Sequence, residues 1–310
     1  MEFCVFIEPQ QGGNYRQFLS LAKAAEELGF DGFFRSDHYL KMGNGSGLTG
    51  ATDAWTTLTG LARDTERIRL GVLLSAATFR DPGPLAVVVA QVNEMSGQRI
   101  DFGLGAGWYE AEHRAFGILF PPIAERFDRL EEQLQIITGL WGTPEAKAFS
   151  HYGKHYRIDG APGLLGAAGQ THPPLVVGGS GPCRTPRLAA EFADEYNVDF
   201  QSVKETRAAF NRTSQACEAV GRDHRSLAYS IVQTVCCARN AGELARRGES
   251  LGSGVAGPCE AGLIGSPAEL VDRINDYAEI GASRVYLQLL DIQDFDHLEL
   301  LATEVVNHFR

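Results

Sequence analysis

Asp37-His38 is the pair in this chain best suited to chemistry, an imidazole that exchanges protons near neutral pH beside a carboxylate able to fix its tautomer or lift its proton affinity. A histidine that only hydrogen-bonds a buried loop is the plainer reading of the same pair. The pair follows Gly29-Phe30-Asp31-Gly32-Phe33-Phe34, in which Gly29 suits the left-handed cap ending a helix and the aromatic residues suit a strand. His38 therefore falls at a strand's carboxyl end, where ligands gather in folds of alternating strands and helices. Two glycine-rich stretches fall at similar places. Gly103-Leu104-Gly105-Ala106-Gly107-Trp108 lacks the Gly-x-Gly-x-x-Gly dinucleotide spacing; its small residues let backbone approach a flat ligand, with Trp108 as a wall. Gly178-Gly179-Ser180-Gly181 precedes a helix near Arg184, so exposed amides, the helix dipole and the Arg184 charge suit a phosphate; a glycine turn that only packs tightly is the alternative. Thr78, Phe79, Arg80, Glu110 and Glu112 add polar handles, with solvated loop charge the bland alternative for each. The histidines show no metal-binding spacing.

The elements that must position these residues alternate. Strand-like runs at 3–7, 30–35, 68–74, 99–104, 175–177, 196–199, 230–237 and 285–290 are separated by helical periodicity, as in Phe18, Leu21, Ala22, Ala25 and Leu28. Thr52 is placed to cap a helix over 53–65, proline opens the helix after Asp81, and Ser202 and Ser266 begin capping boxes. Eight repeats favour an α/β fold closed into a (β/α)8 TIM barrel over an open doubly wound sheet. The expected organisation is one domain over 1–310 with an inserted, largely irregular segment at about 143–173. The glycine-rich loop 41–52 reads as a lid.

Composition narrows the class. A 44% hydrophobic and 22% charged chain supports a sizeable core, and a net charge of −11 disfavours nucleic acid or an anionic membrane as main partner. No run of about 18 apolar residues is present, and Met1–Ile7 reads as a strand instead of a signal peptide. Six cysteines without paired spacing suit free thiols in a reducing cytosol, so a cytoplasmic protein is expected.

Glu27-Leu-Gly-Phe-Asp31 with Ser36-Asp-His38, Arg69-Leu-Gly71 with Thr78-Phe-Arg80, Gly97-Gln-Arg99 with Gly103 to Trp108 and Glu112, and Val177-Gly-Gly-Ser-Gly181 with Asp194 occur in an order that resembles the bacterial luciferase-like monooxygenase family. Within it, the chain is similar to the branch using coenzyme F420 in place of a flavin. The resemblance implies a (β/α)8 barrel, a noncovalent cofactor, a small-molecule substrate and a homodimer, with the helices near 53–66 and 85–95 as candidate contacts. It implies that Asp37 and His38 lie beside the deazaflavin ring. Leu73, Leu74 and the adjoining Ser75 lie near a non-proline cis peptide under the ring, and Ala106, Gly107 and Trp108 lie near the cofactor. Gly178, Gly179, Ser180, Gly181 and Arg184 take the phosphate end. The implied activity is hydride transfer between deazaflavin C5 and an activated C=C or C=N bond. An FMN- and oxygen-dependent monooxygenase and a catalytically silent flavin-binding relative are the alternatives. Trp108 stands where some deazaflavin dehydrogenases carry a glutamate, which counts against a sugar-phosphate dehydrogenase.

Overall fold

The computed structural model describes residues 1–43, 45–144, 146–164, 171–250 and 262–310. Parts of the expected insertion and lid, and Cys259, therefore lie outside the described residues. Eight parallel strands close on themselves in the order β1 (Glu2–Ile7), β2 (Gly32–Arg35), β3 (Arg69–Ala76), β4 (Ile100–Gly105), β7 (Leu175–Gly178), β8 (Glu195–Asp199), β9 (Ala228–Cys237) and β11 (Arg284–Leu289), which returns to β1. This is the (β/α)8 barrel that the alternation predicts. Three-residue β10 (Leu263–Gly265) adds to β9 outside the ring.

The crossover helices bury one face each against the strands. In α1 (Tyr15–Glu27) the buried residues are Phe18, Leu21, Ala22 and Ala25, the stripe expected from spacing, and Gly29 takes φ +84° just past its end. Asp53, and not Thr52, caps α2 (Ala54–Asp64): its carboxylate accepts from the Thr56 amide, while Thr52 is drawn away by Arg35. Pro82 opens α3 (Pro82–Met95), and both predicted capping boxes form, at α7 (Val203–Ala219) and α9 (Pro267–Glu279). The remaining helices are α4 (Glu110–Ala115), α5 (Ile123–Gly142), α6 (Arg184–Phe192), α8 (Ala241–Ser250) and α10 (Phe295–Leu300), the last running on through a π turn and a 3-10 turn to Phe309. The described part of the 143–173 segment is more regular than its composition suggests. It carries an antiparallel hairpin, β5 (Ala148–Tyr152) and β6 (Arg157–Pro162), whose alternating burial turns one face onto helix α5.

Inside the ring, Cys4, Phe6, Phe34, Leu73, Val176, Val232 and Tyr286 form an apolar plug. Below it, at the strands' amino ends, Arg284 pairs with Asp101 (3.1 Å) and Glu195 (2.7 Å), and the Tyr286 hydroxyl donates to Glu195 (2.8 Å). Burial pushes the Glu195 carboxyl up against the pull of Arg284. This closed floor confines chemistry to the carboxyl ends. Cys4, Cys183, Cys217, Cys236 and Cys237 are all free thiols, and no described helix is long and apolar enough to cross a membrane.

Candidate active site

β2 ends at Arg35, which is fully buried although charged. Its guanidinium donates to the Ser36 carbonyl (2.8 Å), the Thr52 carbonyl (3.0 Å), the Asp53 carbonyl (3.2 Å) and the Thr57 hydroxyl (2.8 Å). Burial brings its pKa down to about 10. With Arg35 fastened to the start of α2, the chain runs through Ser36 and Asp37 to His38 at the barrel mouth, its side chain 19% exposed.

His38 is held by Glu112, not by Asp37. Its Nδ1 donates to Glu112 Oε1 at 2.8 Å, and Glu112 Oε2 accepts the Tyr39 amide at 2.9 Å. Glu112 is 1% exposed. A carboxylate only accepts, so Nδ1 carries the proton and Nε2 is the exchangeable atom; Nε2 makes no hydrogen bond among the described residues. Asp37 turns the other way and is bound by both Nη atoms of Arg80, with Nη2 to Oδ1 at 3.0 Å. Side chains that follow one another off a strand end leave in different directions, and Arg80 takes the carboxylate on its side. Arg80 also meets Asp53 (2.5 Å) and the Tyr39 hydroxyl (3.0 Å). Burial opposes the Asp53 charge, but the Thr56 amide and Arg80 hold that carboxyl down to about 2.

Glu112 reaches His38 because the short α4 is locked in place. His113 Nδ1 donates to the Tyr109 carbonyl (2.7 Å) and its Nε2 meets the Thr78 hydroxyl (2.7 Å). Trp108 and Tyr109, which lead into α4, stand edge-on to the His38 ring at 5.4 and 6.1 Å between centroids. Trp108 is 64% exposed, a free aromatic wall beside the imidazole. Glu8, at the end of β1, lines a cavity of about 200 Å³ with Gln11, Ser46 and Asp291; burial pushes its carboxyl up while the His38 charge opposes.

The Leu73-Leu74 peptide is cis, at a bulge where the β3–β4 register breaks between Val72 and Ser75. The glycines around it make room for a side chain. A Cβ at Gly103, Gly105 or Gly178 would stand 2.6, 3.1 or 2.7 Å from Leu74, so these residues admit Leu74 and not, as the sequence suggests for 103 and 105, a ligand. Ser75 is fully buried and its hydroxyl accepts from Trp55 Nε1 (3.1 Å) in the helical shell, away from the mouth. Ala106 packs on the core, and Gly107 (φ +76°) offers its carbonyl to Arg126.

β7 ends at Gly178 and α6 begins at Arg184, with Gly179 at φ +123°. Among the described residues no side chain caps the first amides of α6, and Ser180 is exposed. Open amides on a small-residue loop at a helix start fit a phosphate-bearing cofactor. Arg184 is engaged elsewhere, with Asp128 (2.8 Å), the Ala124 carbonyl (3.0 Å) and the Phe127 ring on α5.

The chain is similar to known proteins throughout. An F420-dependent glucose-6-phosphate dehydrogenase from Microbacterium testaceum is 34% identical over 182 residues, covering 58% of this chain and 51% of that relative; the chain thus spans about half the length of such curated relatives. A 5,10-methylenetetrahydromethanopterin reductase from Archaeoglobus fulgidus is 25% identical across 92% of both chains. The structure of an F420-dependent secondary alcohol dehydrogenase with an F420-acetone adduct superposes with a TM-score of 0.83 at 17% identity over 98% of each chain. A match over residues 1–251 accompanies these likenesses, and the chain belongs to the luciferase-like monooxygenase family.

Proposed function

We propose that the chain is an oxidoreductase that binds coenzyme F420 noncovalently and reduces an activated C=C or C=N bond of a small organic substrate. The observation that carries this reading is the Glu112-held imidazole of His38, with Nε2 unbonded among the described residues, at the same barrel mouth as the Gly179–Gly181 loop. When bound, the deazaflavin supplies or accepts a hydride at C5.

This chain's residues do the rest. Gly179, Ser180, Gly181 and the first turn of α6 hold the phosphate end, and Leu73, Leu74, Gly107 and Trp108 bound the ring's place. Glu112 keeps the His38 Nδ1 proton fixed, so the imidazolium gives its proton from Nε2 and returns to the neutral ring; oxidation runs the same exchange backwards. The loop 41–52 and the β5–β6 hairpin exclude water and select the substrate. Val87 and Val88, exposed on α3, support a homodimer built on α2 and α3.

Absorbance titration with F420 and with FMN tests the cofactor. Saturable binding of F420 is expected; binding of FMN with none of F420 overturns the reading in favour of a flavin monooxygenase. Unchanged turnover in His38→Ala removes the proton-transfer role and leaves a binding protein as the better account.

A further inference from the structure

Four carboxylates surround the segment that carries His38: Glu112 on α4, bonded to the ring; Asp37 beside it in the chain; Asp53 at the start of α2; and Glu8 at the end of β1. Tyr39 and Tyr109 are the phenols nearby, and Arg35 and Arg80 the cations. The two arginines have different work. Arg35 bonds only neutral oxygens and fastens β2 to α2. Arg80 takes Asp37 on the residue before His38 and the Tyr39 hydroxyl on the residue after it, while the Tyr39 amide is fixed by Glu112. The backbone of His38 is thus gripped on both sides, and no hydrogen bond of Arg80 goes to the imidazole itself.

We propose that Arg80 is the positioning residue of this site: by engaging Asp37 and Tyr39 it reserves the imidazole Nδ1 for Glu112 and cancels the carboxylate charge next to the ring. The proposal rests on the reading of His38 as the proton-exchanging group. Without Arg80, Asp37 and Asp53 lose their hydrogen-bonded cation and keep only the longer-range attraction of buried Arg35, which bonds neither carboxylate. Their field favours the imidazolium, and Asp37 becomes a competing acceptor for the ring.

The test reads the imidazole itself, without cofactor or substrate. Histidine-labelled protein is titrated by NMR, with His38 assigned from the signal lost in His38→Gln. In Arg80→Gln the midpoint of the His38 titration is expected to rise relative to the parent by about half to one pH unit. Arg80→Lys, which restores the charge, is expected to bring it back towards the parent, and the double variant Asp37→Asn/Arg80→Gln to cancel most of the rise. A folded Arg80→Gln protein whose midpoint and Nδ1–H signal match the parent overturns the proposal. If Arg80→Gln does not fold, Asp37→Asn decides: its midpoint is expected to fall, and an unchanged one overturns the proposal. A shift in a protein that binds no F420 leaves Arg80's role standing and removes the proposed function; F420-dependent turnover with no shift does the reverse.

Discussion

Glu112 and His38 lie 74 residues apart in the chain and 2.8 Å apart in the fold, joined by a hydrogen bond from Nδ1 to a carboxylate that is 1% exposed. The bond leaves the imidazole one free nitrogen and one orientation. Glu112→Gln keeps an acceptor of the same shape but removes the charge that stabilises an imidazolium. Its turnover is expected to fall about 10- to 100-fold with cofactor affinity nearly unchanged, read from steady-state rates beside a binding titration.

Gly179 holds φ +123°, where side chains rarely go, although a Cβ there meets nothing closer than 3.8 Å. Gly179→Ala therefore strains the backbone without a clash. It is expected to reshape the loop and weaken F420 binding about tenfold. Gly97→Ala, at φ +71° with open space around it, should lower the melting temperature and leave binding as it was.

Gly103 has no such space, because a Cβ would press on the Val72 carbonyl and stand 2.6 Å from Leu74. Backbone cannot step aside as a flexible side chain does. Gly103→Ala is expected to cost about 2–3 kcal/mol, measured by urea unfolding, and to displace the Leu73-Leu74 bulge.

His297 is buried, and its Nε2 accepts the Cys237 amide at 2.9 Å, which requires that nitrogen to be unprotonated. Burial, with Arg247 beside it, brings its pKa down to about 4. An unfolded histidine binds a proton near about 6.5, so between these values the unfolded chain takes up a proton that the folded chain refuses. Stability is therefore lost as pH falls from about 6.5 to 4, by about 2–3 kcal/mol from this group. Urea unfolding at pH 7, 6 and 5 should show the loss, and His297→Gln, whose amide oxygen still accepts from Cys237, should flatten it.

Eight barrel strands were legible because most are apolar runs closed by glycine, proline or a polar turn, while the more polar Glu195–Asp199 stands out by its place between two helical stretches. Arg157–Pro162 was not, since half of each hairpin strand faces water and the pair lacks a two-residue turn signal; β10 is too short to show a period. His38 was legible from its place after Phe33-Phe34, and the loop around Gly179 from its composition. Its partner was not. Asp37 was the nearest acid in the sequence, whereas Glu112 enters through a six-residue charged helix whose position depends on His113 bonding Thr78, 35 residues earlier. Arg80 carries the same lesson, because a guanidinium 43 residues away decides where the Asp37 carboxylate points. Ser75 erred in the opposite sense: adjacency to Leu74 suggested the mouth, and alternation along β3 sent its hydroxyl to Trp55.

Tyr39 and Thr52-Asp53, the two ends of the loop over the mouth, are tied to each other and to the barrel: Arg35 grips the Thr52 carbonyl, and Arg80 joins the Tyr39 hydroxyl to Asp53. The stretch between is further seated on the turn after β1, where the Gly47 amide donates to the Gln11 carbonyl (3.1 Å) and the Leu48 carbonyl accepts from the Gly13 amide (2.7 Å). Its length and sequence can change with little added closure entropy, since doubling a loop costs only about 0.6 kcal/mol once its ends are set. Exchanging this stretch between related chains, on an unchanged barrel, tests the proposal that it selects which molecules reach His38.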